Sequence, residues 1–370
     1  MFDISALSRL TDAAYDDLAP VQWPLAGDAR GTERLFADGS FPAPAGRARL
    51  IAVAPGRPAH AVSARWPFVL NTGRVRDQWH TMTRTGRSPR LAAHISEPFV
   101  EINPDDGEAL GLGQGMLARV STRYGSAALR VTLSDGQPRG SLFAPIHWSA
   151  ANSSRARIGA LVQPATDPLS GQPEAKATPA RIDPLPMTHF GFLLSRRPVA
   201  TDAMAYWARS RTEAGHATYF ALAAPPTSWG DWCGSLLPAG ERITYEDTVT
   251  QQFRLAVLRD ARLEAVIYIA SHPRLPSAEW LKACFALPAI APEDRRALLA
   301  GRPLGGADAG PLVCACFQVG RARIMAAIAS GARSPAAIGA ATRAGTNCAS
   351  CVPELQRLAA SACATKAAPG

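Results

Sequence analysis

The first 232 residues of this 370-residue chain contain no cysteine, and all seven cysteines fall in the remainder. A thiolate-held metal is therefore excluded from the larger part of the chain. Lysine is nearly absent too: only Lys176, Lys282 and Lys366 occur, so the formal charge of +9 rests on arginine. Those arginines are scattered apart from one stretch, which argues against a nucleic-acid partner. No apolar run approaches the ~20 residues of a membrane span. The opening MFDISALSRL has no basic region followed by an apolar one, so no export signal is expected. We therefore expect a cytoplasmic protein with no membrane partner, whose reduced cysteines favour metal binding over disulfides. A glycine-rich nucleotide fingerprint is also missing, and no flavin or nicotinamide site is expected.

What is present is an ordinary globular balance, 47% hydrophobic and 19% charged, with 31 prolines and 30 glycines that imply many turns. The chain is too long for one core, so several domains are expected. Residues 1–65 are Pro/Gly-rich with weak periodicity, apart from an amphipathic opening at 4–18, and read as a lead-in that packs on something else. Residues 66–182 are mainly β, with strands at 67–70, 98–102, 116–121, 127–133 and 142–146. Asn103 caps a short helix that Gly111 ends. Residues 187–304 read as an α+β segment, helical at 201–210, 277–285 and 292–300, with a β-hairpin at 253–269. GRPLGGADAGP is a linker by composition, and 312–360 form a compact cysteine-bearing module before an Ala-rich tail.

In that module Cys314 and Cys316 form C-x-C, and Cys348 and Cys351 form C-x-x-C. Each pair sits on its own loop, and the insert reads as two helices: 321–330, ended by Gly331, and a second opened by Ser334-Pro335. Pro353-Glu354 opens a third. Four soft thiolates on two convergent loops select an iron–sulfur cluster or zinc. Zinc suits the C-x-C pair less, because so short a chelate is strained in a closed tetrahedral site. Cys233 and Cys284 read as structural core, and Cys363 lies in the tail. A second constellation is the stretch NTGRVRDQWHTMTRTGR at 71–87, long and polar for a compact domain. Hydroxyls alternate there with arginines, and Gly73 and Gly86 permit close backbone approach. Arginine forks and backbone N–H groups are what a pyrophosphate requires; a solvated or RNA-contacting loop is the alternative.

VCACFQVGRARIMAAI followed by AGTNCASCVPEL resembles the bacterioferritin-associated ferredoxin domain, which implies an all-α 2Fe–2S module on Cys314, Cys316, Cys348 and Cys351. From about 15 to 182, words such as LNTGRVRDQWHTMTRTGR, FAPIHWS and TDPLSGQPEAK resemble the molybdopterin-dinucleotide-binding domain of the assimilatory nitrate reductase catalytic subunit, of the molybdopterin oxidoreductase family. That resemblance implies a mainly β, six-stranded double-psi barrel holding molybdopterin guanine dinucleotide. Asn71, Thr72, Gly73 and Arg74 would contact one dinucleotide half. Trp79, His80, Thr81 and Thr83 would lie along pterin and phosphates, and His147, Trp148 and Lys176 would approach a pterin from the far side of the barrel. Ser149 stands where that family often has asparagine. The segment TQQFRLAVLRDARLEAVIYIA resembles the C-terminal α+β domain of flavin-dependent pyridine-nucleotide reductases and implies a spacer or docking role.

The resemblance further implies a 4Fe–4S motif and a molybdenum ligand from an N-terminal half, and neither is found. The chain reads as the C-terminal portion of a molybdenum-dependent assimilatory nitrate reductase whose catalytic part lies elsewhere. In the whole enzyme a ferredoxin, flavodoxin or NADH-linked reductase would reduce the 2Fe–2S cluster, and electrons would pass to molybdenum for conversion of nitrate to nitrite. No general acid or base is assigned. The alternatives are a stand-alone 2Fe–2S adaptor without catalytic activity, or a related enzyme such as a formate dehydrogenase.

Overall fold

The computed structural model describes residues 3–27, 31, 33–47, 50–52, 54, 56–304 and 309–367, with side chains to 362. The linker expected at 301–311 lies partly outside them, as does the Cys363 side chain. Contacts divide the chain into two units, 1–57 and 58–370. In the first, a 3-10 turn Ser5–Arg9 precedes the short helix α1 (Asp12–Asp16), whose N-cap Thr11 accepts from Ala14 N–H. Among its described residues only Ala6 and Leu25 are buried, while Tyr15, Leu18, Val21 and Trp23 are exposed.

The second unit begins with a closed six-stranded barrel. Its strands are β1 (Phe68–Gly73), β2 (Phe99–Ile102), β3 (Leu117–Ser121), β4 (Ser126–Leu133), β5 (Ser141–Pro145) and β6 (Thr178–Pro184), ordered β1-β5-β2-β4-β3-β6. Pairs β1/β5 and β2/β4 are parallel and the rest antiparallel. Alternation sends Leu70, Val100, Ile102, Val120, Leu129, Val131, Leu142 and Ile182 inward, where all are at most 1% exposed. Each such side chain contributes about 1.5–3 kcal/mol by leaving water. Between β1 and β2 the long connection holds a 3-10 turn Thr85–Arg87 and helix α2 (Pro89–Ala92). After β2, helix α3 (Pro104–Ala109) is capped by Asn103, which accepts from Asp105 N–H.

A six-stranded antiparallel sheet follows, ordered β10-β11-β12-β7-β9-β8, from β7 (His189–Ser195), β8 (Tyr206–Thr212), β9 (Gly215–Leu222), β10 (Glu241–Asp247), β11 (Gln252–Arg259) and β12 (Arg262–Ala270). Helix α4 (Trp229–Leu236) covers one face; α5 (Glu279–Ala286) and α6 (Ala297–Ala300) cover the other. Burial on both faces explains why HFGFLLS in β7 is buried without interruption and apolar from Phe190 to Leu194. The helix expected at 201–210 is instead strand β8: Tyr206 and Ala208 are both buried, at period two, once the strand pairs with β9. The helix expected at 292–300 is a 3-10 turn Pro292–Asp294 and then α6. The barrel and sheet are joined by a largely covered ion pair: Arg130 Nη2 lies 2.6 Å from Glu97 Oε2, which also accepts from Tyr206 Oη at 3.2 Å. Burial holds the Tyr206 phenol far above its ordinary pKa, so it remains a donor.

The cysteine module is not purely helical. A two-stranded ribbon, β13 (Leu312–Cys314) and β14 (Val319–Gly320), leads into α7 (Arg321–Ala329), α8 (Pro335–Thr342) and α9 (Val352–Ala367). Ser334 caps α8 by accepting from Ala337 N–H at 3.2 Å, with Pro335 at its first position. Arg343, at φ 70°, closes it. The tail continues α9 rather than leaving it. Val313, Ile324, Ile338, Ala344 and Leu355 form the core, each at most 1% exposed.

Candidate functional sites: a barrel rim and a cysteine module

Parallel pairing of β1 with β5 matches Asn71 with Phe143, Thr72 with Ala144 and Gly73 with Pro145, so both strands leave the barrel at one end. The 74–87 stretch and the His147-Trp148 pair therefore emerge side by side. Strand β6 runs antiparallel to β1, with Thr178 opposite Leu70, so Lys176 lies at that end too. His147, Trp148 and Lys176 thus reach the same rim as the 71–83 residues, instead of the far side of the barrel. Gly73 is closely covered there: a Cβ would lie 2.7 Å from the Phe143 ring, which would have to shift.

Buried His147 holds the rim in shape. Its Nε2 accepts from Val75 N–H at 2.9 Å, and its Nδ1 donates to His80 O at 2.6 Å. Burial lowers its pKa, favouring the neutral ring that this accept-and-donate pattern needs. Thr72, 2% exposed, donates to Ala175 O at 2.7 Å, and Lys176 Nζ donates to Thr72 O. Arg74 lies 4.4 Å over the Trp79 ring, and Trp79 meets His80 edge-on at 4.7 Å. Asn71, Arg74, Trp79, His80, Thr81, Thr83 and Lys176 are exposed, while Trp148 is buried. Asp77, His80 and Met82 all have positive φ. Such backbone costs about 1–3 kcal/mol per residue and persists only where its surroundings enforce it.

Beside the rim a cleft of about 600 Å³ is lined by Thr81, Thr83, Arg87 and Trp148 on the barrel side and by Arg209 and Arg211 of β8. Cations, hydroxyls and a buried indole wall are the donor set that an anionic, flat heterocyclic ligand needs, so these residues fit a pterin dinucleotide. Sequence reasoning missed Gln78, 7% exposed, whose amide donates to Leu91 O at 3.0 Å and accepts from Thr85 Oγ1 at 2.8 Å. It also missed Arg209 and Arg211, because nothing local in β8 signals that they face the barrel.

In the cysteine module the four sulfurs approach as two pairs. Cys316 and Cys348 are 3.3 Å apart, and Cys314 makes a side-chain contact with Cys351. Among the described residues no three His, Cys, Asp or Glu side chains surround a single ion-sized point. Two sulfur pairs match a group in which four thiolates are shared between two irons, so the residues fit a 2Fe–2S cluster. The pairs differ in exposure: Cys314 and Cys351 are 3% and 2% exposed, whereas Cys348 is open to solvent. Burial, and then Cys314, pushes the Cys351 thiol up to about 11. The Ser350 hydroxyl, 3.1 Å from its sulfur, holds the Cys348 thiol below its usual value. Metal binding must displace both protons. Arg343 lies 4.1 Å over the Phe317 ring beside this pair. Cys233 and Cys284 stand apart; burial pushes their thiols up to about 12 and about 11, and they pack as core.

Residues 68–179 match the family described as Molydopterin dinucleotide binding domain, and 312–361 match the BFD-like 2Fe-2S binding domain. The chain thus carries a molybdopterin-dinucleotide-binding domain and a BFD-like 2Fe–2S binding domain. Across 365 residues it is 38% identical to a nitrate reductase of Klebsiella oxytoca, covering 97% of this chain and 41% of that protein. It is 32% identical to the assimilatory nitrate reductase catalytic subunit of Bacillus subtilis, over 45% of this chain and 23% of that one. The F420-dependent formate dehydrogenase subunit alpha of Methanocaldococcus jannaschii is 30% identical over 44% of this chain and 24% of its own. The chain therefore spans well under half the length of these relatives.

Proposed function

We propose that this chain is the C-terminal, cofactor-holding portion of a cytoplasmic, molybdenum-dependent assimilatory nitrate reductase, completed by a catalytic part that the chain does not contain. The observation that carries the reading is the coexistence, in one unit, of a basic barrel rim and a four-cysteine module, with 38% identity to a nitrate reductase along nearly the whole chain. When bound, the two groups supply electron passage through iron and removal of an oxygen atom from nitrate at molybdenum. The protein binds and orients them. Asn71, Thr72, Gly73 and Arg74 hold one end of the dinucleotide; Trp79, His80, Thr81 and Thr83 run along it; His147, Trp148 and Lys176 fix the rim beneath it. The four cysteines hold the cluster, and solvent-facing Cys348 marks the side where a ferredoxin, flavodoxin or NADH-linked donor delivers electrons. The sheet of 187–304 serves as spacer and docking segment. Unit 1–57, with its exposed apolar residues, packs on the catalytic part.

The test is to purify the full chain, supply ferrous iron and sulfide, and record its visible absorption before and after dithionite. Bound guanine nucleotide is then assayed after denaturation of chain co-expressed with the catalytic part. Dithionite-bleachable colour and released guanine nucleotide are expected. Colour without nucleotide identifies a stand-alone 2Fe–2S adaptor. A colourless chain that retains zinc overturns the redox reading.

A further inference from the structure

Two residues beyond Arg74 in the barrel connection, Arg76 leaves the rim and enters the cysteine module. Its Nη2 donates to Val313 O at 2.8 Å, the carbonyl immediately before Cys314. The same nitrogen is 3.7 Å from Glu354 Oε2, in the first turn of α9 and three residues after Cys351. Its Nε donates to His94 Nδ1 at 3.3 Å and also lies 3.3 Å from Asp77 Oδ2; His94 Nε2 in turn lies 3.7 Å from Glu354 Oε2. The Arg76 side chain is 17% exposed, so this is a largely covered contact. Burial works against the Glu354 carboxylate, yet His94, Arg76 and Arg357 together hold its pKa below the usual value, so it stands as an anion.

We infer that Arg76 is a positioning residue that docks the buried cysteine pair against the pterin-facing connection and sets the reduction potential of the cluster held there. This rests on the 2Fe–2S reading above. Reduction by a one-electron donor makes the cluster one unit more negative. A guanidinium, cationic at every working pH, favours that reduced state where solvent is scarce. Glu354 opposes it. The fork also ties Cys314 and Cys351 to the segment that carries Arg74, so one short piece of chain touches both cofactor sites. The buried pair thereby faces the pterin side, and the exposed Cys348 faces the donor.

The experiment is a mediated redox titration of the full, cluster-loaded chain, followed by electron paramagnetic resonance. R76Q should lower the reduced-to-oxidised ratio at a fixed potential by about tenfold, equivalent to about 59 mV for one electron. E354Q should raise it, and R76K, which keeps the charge but loses the fork, should shift it less than R76Q. Hydrogen exchange across 312–320 should quicken most in R76Q, which loses the bond to Val313 O, and less in E354Q, which loses only the ion pair. Potentials that move in the same direction in both variants, or in neither, overturn the inference while a normal cluster spectrum leaves the 2Fe–2S reading standing. An unmodified chain that takes up no cluster overturns both.

Discussion

The cysteine module and the barrel rim assemble their candidate sites in opposite ways. The module presents its four cysteines on two loops within 314–351, and a local core around Ile338 and Leu355 closes the space between them. The rim draws on 71–87, 147–148 and 176, which meet only because β1, β5 and β6 are neighbours in a closed barrel. A site built from local segments depends on its own ligands, whereas one built by topology depends on the hydrogen bonds that clamp distant segments together. The first should fail all at once and the second by degrees.

The largest expected effect is therefore in the module. C314S and C351S each remove a buried thiolate and leave a hydroxyl among apolar side chains, and both should abolish the dithionite-bleachable absorption. C348S, at the exposed edge, should also lose it but keep the melting behaviour of the unsubstituted apo chain. In C348S, guanine nucleotide retained by the rim should be unchanged. A fall in nucleotide retention in C348S would show that the two sites are not independent, and would break the comparison.

On the rim, H147A leaves Val75 N–H and His80 O without the buried ring that bonds both. Each orphaned group costs about 1–3 kcal/mol, so H147A should lower stability by about 2–6 kcal/mol and retained guanine nucleotide by at least about tenfold. The cluster absorption should survive. Chemical unfolding monitored alongside nucleotide assay checks both halves, and loss of the cluster in H147A would again contradict separate failure.

The same contrast explains what was legible in the amino-acid sequence. The cysteine spacing and the Ser334-Pro335 helix start are local signals, and the structure uses them as local features. The barrel strands were readable because Val120, Leu129 and Val131 enter the barrel core while the neighbouring Arg119 and Arg130 do not. Strand β8 was not: only Tyr206 and Ala208 of YWARSRT are buried, too short a run to show a period, although the strand forms a local hairpin with β9. The positive φ values at Asp77, His80 and Met82 had no glycine to announce them. Above all, Arg76 and Glu354 are far apart in sequence, and only the fold brings them within 3.7 Å. The one-turn ribbon β13/β14 was invisible for a similar reason, since a two-residue strand has no period.

The smallest expected effect concerns pH and separates the clamp from the ligands. Burial depresses the His147 pKa in the folded chain below the 6.5 of an ordinary histidine. Between the depressed value and 6.5 the unfolded chain binds a proton that the folded chain refuses, so stability rises with pH across that window. The contribution of neutral His147 is thus complete above pH ~6.5 and is lost as pH falls below it, by at most about 1.4 kcal/mol per pH unit. His189 and His216 are also depressed by burial and act with the same sign, so their part of the slope remains when His147 is replaced. Urea midpoints of the apo chain at pH 7.5 and 5.5 should therefore fall with acidity, and fall less steeply in H147Q. An equal slope in H147Q would mean that the proton is taken up elsewhere and that the rim clamp does not depend on the neutral imidazole.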